Sequence, residues 1–418
     1  MRGRRRRDRP PPRRRRPPRA RARARRRQAG APRRPRRHPR RARRGRPLPR
    51  RGRQRARRRR RVRGSARPRA ARGLGPGADR PLRQRRRRHR RRPARVLDRD
   101  ADERRGRGRA RRGREVTAVT TRRVGPADLA RLTEVRAREP QQVARLWDER
   151  RLRPLLPADG RLLLVAADHP ARGALGVGAD PMAMASRTDL LDRLVTALER
   201  PGVDGVLGTP DILEDLLLLG ALDGMVVIGS MNRGGLQGAS WELDDRFTAY
   251  TAEAVRRLGL DGGKMLTRIA LEDTGSVRTL EACAQAVTDL ADAGLLAMVE
   301  PFWSVREDGR VRNLLDAESM VRAVHVASGL GASSAHTWLK LPVVDDLERV
   351  MDATTLPTLL LGGDPAGAPA ETYASWGHAL GLPSVRGLVV GRALLYPREG
   401  DVAAAVDVAA DLVHGGTS

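Results

Sequence analysis

The chain has 418 residues, 86 of them basic and 48 acidic, for a formal net charge of +38, yet two compositions meet near Glu115. Residues 1–115 hold 56 Arg against 7 acids, a net of +49, whereas residues 116–418 hold 28 Arg and 2 Lys against 41 acids, a net of −11. The basic balance belongs to the first segment alone; the single Cys283 excludes an intramolecular disulfide, and the apolar run LLLLGAL at 216–222 is far shorter than the roughly 18 residues that a membrane span requires.

Residues 1–115 contain no Ile, Phe, Tyr, Trp, Lys, Asn, Thr or Cys. They cannot bury enough apolar surface to offset a backbone ordering cost of roughly 1–2 kcal/mol per residue, so this segment is expected to be disordered. Clustered arginine suits a polyanion such as nucleic acid, but there are no interleaved aromatics and no Cys/His finger spacing. The missing residue types are those with A- or T-rich codons, which favours translation of GC-rich DNA upstream of the true start and makes Val116 an alternative start. Paired arginines open the chain without an apolar stretch behind them, so no targeting signal is read and the cytoplasm is the expected compartment.

Residues 116–160 read as lead-in helices, with apolar residues three and four apart in PADLARLTEVRA and QQVARLWDERRL. From residue 161 to 418, short apolar runs alternate with amphipathic stretches. The runs lie at 161–168, 203–208, 225–230, 264–271, 295–301, 337–343, 356–363 and 385–391. Between them, DLLDRLVTALER and TLEACAQAVTDLADAG place Leu190, Leu194 and Leu198, and Leu280, Cys283, Val287 and Leu290, on single helical faces. Cys283 is therefore expected to be a buried structural thiol. Eight such βα units predict a (β/α)8 TIM barrel, class α/β; an open doubly wound sheet is the alternative, but no GxGxxG follows the first strand.

In such a barrel the chemistry gathers at the C-terminal ends of the strands. Residues at or beside these runs include Asp168, His169, Asn232, Arg233, Lys264, Glu300, Lys340, Gly362, Gly363, Gly391 and Arg392. Strand alternation puts Lys340 on a face with Trp338, Lys264 with Leu266 and Arg268, and Glu300 with Met298. If those faces point inward, two lysines and a carboxylate converge.

Lys264 and Lys340 are the only lysines in a chain that otherwise uses arginine. An amine nucleophile must be neutral, a state that arginine does not reach. Bringing lysine from about 10.4 to about 7 requires roughly 4 kcal/mol, and a second ammonium at about 6 Å in an effective dielectric of about 20 supplies roughly 2.8. Desolvation can supply the remainder, so the two lysines are read as an activating pair. The alternative is that both are buried ion-pair partners of carboxylates such as Glu300 or Asp168.

The glycines in LLLGGDPA and VVGRALL, with Arg392, suit a phosphate cradle after the last two strands. His169 could either position a proton or serve as a core hydrogen-bond partner. His325 and His336 lack partners at metal-ligand spacing, so no metal site is expected. The Gly-rich loop 230–247 is read either as a cap over the site or as an ordinary long barrel loop.

At these residues the chain resembles the class I, Schiff-base aldolases that include deoxyribose-phosphate, tagatose-bisphosphate and archaeal-type fructose-bisphosphate aldolases. The likeness spans residues 161–412 and is carried by LLLVAADHPARGALGVG, GSMNRGGL, MVEPFW, TWLKLPVV and LVVGRALLYP. It is nearest to a (β/α)8 subfamily found with inositol-catabolism genes in high-GC bacteria. The resemblance implies a Schiff base at Lys340, assistance from Lys264 and Glu300, proton handling by Asp168, and phosphate held by Gly363, Gly391 and Arg392. It further implies a phosphorylated sugar or keto-sugar acid as substrate, no cofactor or metal, no membrane partner and a homo-oligomer. ADHP stands where the tagatose enzymes have Asp-Gln-Arg, which leaves the role of His169 and the handedness of the substrate open. Three readings follow: a lyase, a nucleic-acid binder acting through the Arg-rich segment, and a barrel that binds sugar phosphate without turnover.

Overall fold

The computed structural model describes residues 123–363, 368–398 and 400–415. The expectation of disorder over residues 1–115, and any nucleic-acid contact made there, lies outside the described residues. Two helices lead in, α1 (Pro126–Arg138) and α2 (Gln141–Glu149), and they bury Leu132 and Trp147. Helix α1 opens with Pro126 in its first turn, where a missing N–H costs nothing, and Asp128 accepts a hydrogen bond from the Gly125 N–H.

The strands are β1 (Leu162–Ala166), β2 (Gly205–Gly208), β3 (Val226–Ser230), β4 (Gly262–Ile269), β5 (Leu296–Glu307), β6 (Arg310–Leu314), β7 (Thr337–Pro342), β8 (Thr358–Leu361) and β9 (Val385–Val390). All except β6 are parallel; β4 pairs with β5, β5 with β7, and β9 with β1, so eight parallel strands close into a TIM barrel. The remaining helices are α3 (Arg187–Leu198), α4 (Pro210–Leu218), α5 (Ala252–Arg257), α6 (Gly275–Asp292), α7 (Ala317–Ser328), α8 (Leu347–Asp352), α9 (Pro369–Leu380), α10 (Arg392–Leu395) and α11 (Val402–His414). Among the described residues no helix is long and apolar enough to cross a membrane.

Alternation along each strand divides the core in two. In β1, Leu163 and Val165 join the layer between barrel and helices, while Leu162, Leu164 and Ala166 point into the barrel with Ile228, Met298 and Leu359. Both faces are buried, which is why the strands read as continuous apolar runs. Strand β9 carries one extra residue against β8, because Thr358 pairs with Val385 but Leu360 pairs with Leu388. Gly387 occupies that bulge at φ +127°, a conformation that other residues rarely adopt.

Two features depart from the expected layout. The fifth run was expected to stop at Pro301, yet β5 continues to Glu307 and returns as β6. Asp308 and Gly309, at φ 49° and 77°, form the connection, and positive φ at both central residues is the requirement of a two-residue hairpin turn. The lead-in helices also end at Glu149. The extended stretch that follows plugs the lower end of the barrel: Arg150 donates to the carbonyls of Met225 and Gly259, and Leu155 packs against the inner core.

Candidate active site

Asp168 leaves β1, Arg233 follows β3, and Lys264, Glu300 and Lys340 project from β4, β5 and β7. Lys264 was expected beside a strand end, but β4 continues five residues beyond it. The stagger of the barrel sets Lys264 level with Ser230, the last residue of β3, and with Met298 in β5. Its Nζ lies 3.1 Å from Asp168 Oδ2 and contacts Glu300 Oε2. Lys340 Nζ lies 2.9 Å from the other oxygen of Glu300. Arg233 pairs with Asp168 and donates to Ser230 Oγ at 2.8 Å, and Ser230 in turn donates to Asp168 at 3.1 Å. Lys264 is 1% exposed and Lys340 3%, so these charges interact with little solvent screening.

Burial pushes both amines below the ordinary lysine range. Arg233 and Lys340 add to the effect at Lys264, while Glu300 opposes it; at Lys340, Glu300 again opposes while Arg233 and Arg392 add. Burial alone would raise the Glu300 carboxyl, but Lys264 and Lys340 hold it well below the usual carboxylate range. Part-buried His169 is pushed down to about 3 by desolvation and by the Lys340 and Arg392 cations, so its imidazole is neutral at neutral pH.

Three cations in this cluster, Arg233, Lys264 and Lys340, face two carboxylates, Asp168 and Glu300. An uncompensated buried charge is costly, and the loss of one proton removes it. Lys264 is held by two carboxylates and Lys340 by one. Lys340 therefore gives up fewer ion-pair contacts on becoming neutral, although burial and the Arg233 cation depress Lys264 further than Lys340.

A cavity of about 240 Å³ opens over this cluster and is lined by all the expected site residues except Asn232 and Trp338. Asn232 clamps the β4 backbone, accepting from the Leu266 N–H and donating to its carbonyl. Trp338 does face the barrel interior, but it lies one layer below Lys340 and lines a separate cavity at the lower end with Leu155 and His336. Gly362, Gly363 and Gly391 form the rim on the Arg392 side. Gly363 sits at φ +64°, and a Cβ on Gly391 would lie 2.5 Å from the Ala166 carbonyl oxygen and 3.1 Å from His169 Cε1. Neither position suits a larger residue.

The opposite wall was missed in the sequence. Arg172 pairs with Asp245, and Arg268 pairs with Glu242 at 2.6 Å; Arg172, Arg268, Glu242 and Gln237 line the cavity, as do Phe302 and Asn313 from the β5–β6 hairpin. Loop 230–247 thus forms part of the wall. The one available signal was Arg268, which alternation puts on the same face as Lys264. Among the described residues, no three His, Cys, Asp or Glu side chains converge as metal ligands.

Fold and cavity together define a TIM-barrel protein with two buried lysines bridged by one carboxylate at the C-terminal mouth of the barrel. The chain belongs to the Cgl0159-like family, whose model matches residues 160–410. It is 56% identical to the crystal structure of Cgl0159 from Corynebacterium glutamicum (Brevibacterium flavum), with a TM-score of 0.68, over 70% of this chain and 98% of that one. An archaeal fructose 1,6-bisphosphate aldolase is 20% identical over 63% of this chain and 97% of its own, with a TM-score of 0.47. A fructose-bisphosphate aldolase from Slackia heliotrinireducens is 14% identical over 61% and 86%, with a TM-score of 0.44. No curated protein matches the chain.

Proposed function

We propose that the chain is a class I aldolase, a lyase that binds a phosphorylated ketose or keto-sugar acid as an imine on Lys340 and cleaves a carbon–carbon bond. The supporting observation is the arrangement of Glu300 between the two buried amines, both of which burial pushes toward the neutral form.

Neutral Lys340 Nζ adds to the substrate carbonyl. The oxygen takes up protons and leaves as water, and the nitrogen becomes an iminium. Glu300, in contact with Lys340, carries protons between the nitrogen and the departing oxygen. Loss of a proton to Asp168 from the hydroxyl on the second carbon from the iminium then breaks the bond between that carbon and the carbon adjacent to the iminium. Its electron pair flows into the iminium to give an enamine, and an aldehyde departs. Protonation of the enamine and hydrolysis return the free amine. Lys264, held by Asp168 and Glu300, keeps both carboxylates in place. The rim of Gly363, Gly391 and Arg392 holds the phosphate, and the sequence resemblance favours a sugar of inositol catabolism.

The test is to incubate the full chain with phosphorylated ketoses and keto-sugar acids, reduce with borohydride, and map the adduct by peptide mass spectrometry. An adduct on Lys340 that vanishes in Lys340→Arg is expected. A compound that binds by calorimetry yet leaves no adduct, or leaves one on Lys264, would overturn the proposal.

A further inference from the structure

The two oxygens of Asp168 are used unequally. Oδ2 takes Lys264 Nζ at 3.1 Å, the Ser230 hydroxyl at 3.1 Å and the Arg233 guanidinium. Oδ1 lies 3.9 Å from His169 Nδ1, beyond hydrogen-bond reach, and accepts no hydrogen bond among the described residues. It is nevertheless not sealed in, because it is absent from the enclosed polar atoms that lack a partner, and Asp168 lines the cavity. The free oxygen of the carboxylate therefore meets the cavity. Ser230 ends β3 beside Lys264 in the β3–β4 register, so both side chains enter the barrel at one level. Its fully buried hydroxyl accepts from Arg233 Nε at 2.8 Å and gives its single proton to Asp168. The two cations attract the carboxylate as a whole. A short hydroxyl on a rigid strand selects which of its oxygens is held.

We infer that Ser230, oriented by Arg233, is a positioning residue that turns Asp168 so that Oδ1 faces the substrate and receives its hydroxyl proton when the carbon–carbon bond breaks. This deepens the aldolase reading and rests on it for the cleavage step. The proton passes from the substrate hydroxyl to Oδ1, the carbon that bore it becomes the aldehyde carbonyl, and the electron pair of the broken bond enters the iminium. Ser230 exchanges no proton with the substrate. A misplacement of about 1 Å costs on the order of a hundredfold in rate, so turning the carboxylate away should be felt in cleavage. Imine formation on Lys340 draws on Glu300 and should not feel it.

The experiment compares the full chain with its Ser230→Ala and Ser230→Cys variants, using fructose 1-phosphate, fructose 1,6-bisphosphate and tagatose 1,6-bisphosphate as probes. Borohydride trapping reports the imine, aldehyde release reports cleavage, and a crystal structure of each protein gives the orientation of the Asp168 carboxylate. In Ser230→Ala, trapping should stay within about twofold of the wild type while aldehyde release falls by about tenfold or more. Ser230→Cys keeps the shape but is a poor donor, so it should lose cleavage in the same way. Wild-type cleavage in either variant, or trapping that falls in step with cleavage, would overturn the inference, the latter because it marks a merely structural serine. If the wild type traps none of the probes, the aldolase reading loses its support, and the crystal structures decide the positioning on their own. A carboxylate that turns or splits between two orientations in Ser230→Ala upholds it, and one that keeps Oδ1 on the cavity overturns it.

Discussion

Lys264 and Lys340 hold the two oxygens of a single carboxylate: Glu300 Oε1 is 2.9 Å from Lys340, and Oε2 contacts Lys264. The lysines come from strands β4 and β7 and meet because β5, which carries Glu300, pairs with both. Two ammonium groups in one buried site repel each other, and the shared carboxylate makes the pairing tolerable, with Asp168 as a second partner for Lys264 alone.

Replacing that carboxylate should therefore affect chemistry and folding together. Glu300→Gln keeps the shape but removes the proton carrier, and imine trapping should slow by about a hundredfold or more. Stability should fall by roughly 3 kcal/mol, the scale for breaking a buried ion pair, as read from urea melts. Trapping at the wild-type rate would remove Glu300 from the mechanism.

The pH dependence of trapping has a definite sign. Imine formation needs the neutral amine, and a free lysine near 10.4 loses about tenfold in neutral fraction for every unit below that. Burial lowers Lys340, so the rate should reach its plateau below that range. The buried amines also bind fewer protons in the folded than in the unfolded chain between their depressed and free values, so their contribution to stability rises with pH across that window. Initial trapping rates between pH 6 and 11 decide the matter, and an inflection at 10.4 or above would make Lys340 an ordinary ammonium.

His414, at the end of α11, has Nδ1 2.5 Å from Asp159 and Nε2 3.3 Å from Asp204. The hydrogen bond to Asp204 leads in raising its imidazole to about 9. A raised folded value means that the stabilisation is fully present below the unfolded value of about 6.5 and is lost as pH rises through about 9. His414→Asn should thus lower Tm by several degrees at pH 6 and by little at pH 10. An equal deficit at both pH values would show that the clasp acts through packing instead of charge.

Two rim glycines separate strain from obstruction. At Gly391, where a Cβ would sit 2.5 Å from a backbone oxygen, alanine should weaken binding of a ketose phosphate by tenfold or more. At Gly363 a Cβ meets open space, so alanine should cost about 1–2 kcal/mol of stability through its φ of +64°. Calorimetry paired with thermal melts distinguishes the two, and intact binding in Gly391→Ala would place the phosphate elsewhere.

The barrel was legible because each of its eight parallel strands carries a short apolar run, and the helices between them carry apolar stripes. Lys264 and Lys340 stood out by residue type alone. What escaped was relational. Arg172 meets Asp245 across 73 positions and Arg268 meets Glu242 across 26, pairings that no local period encodes. Trp338 shares a face with Lys340, but alternation gives the face and not the depth, and the tryptophan belongs to the lower layer. Pro301 read as a stop, although Asp308-Gly309, a standard hairpin signal, lay seven residues on. Cys283 is buried as expected, with its thiol pushed up to about 12 by desolvation.

Because both lysines lie in buried strands, a lysine-specific endoprotease has two sites in 418 residues, and neither can reach its cleft while the barrel is closed. Each cut requires a strand to leave the sheet. The rate of lysyl proteolysis therefore counts openings of the barrel wall itself, and a ligand that seals the cavity should suppress the cuts after Lys264 and Lys340 while leaving arginine-directed digestion of the exposed chain untouched.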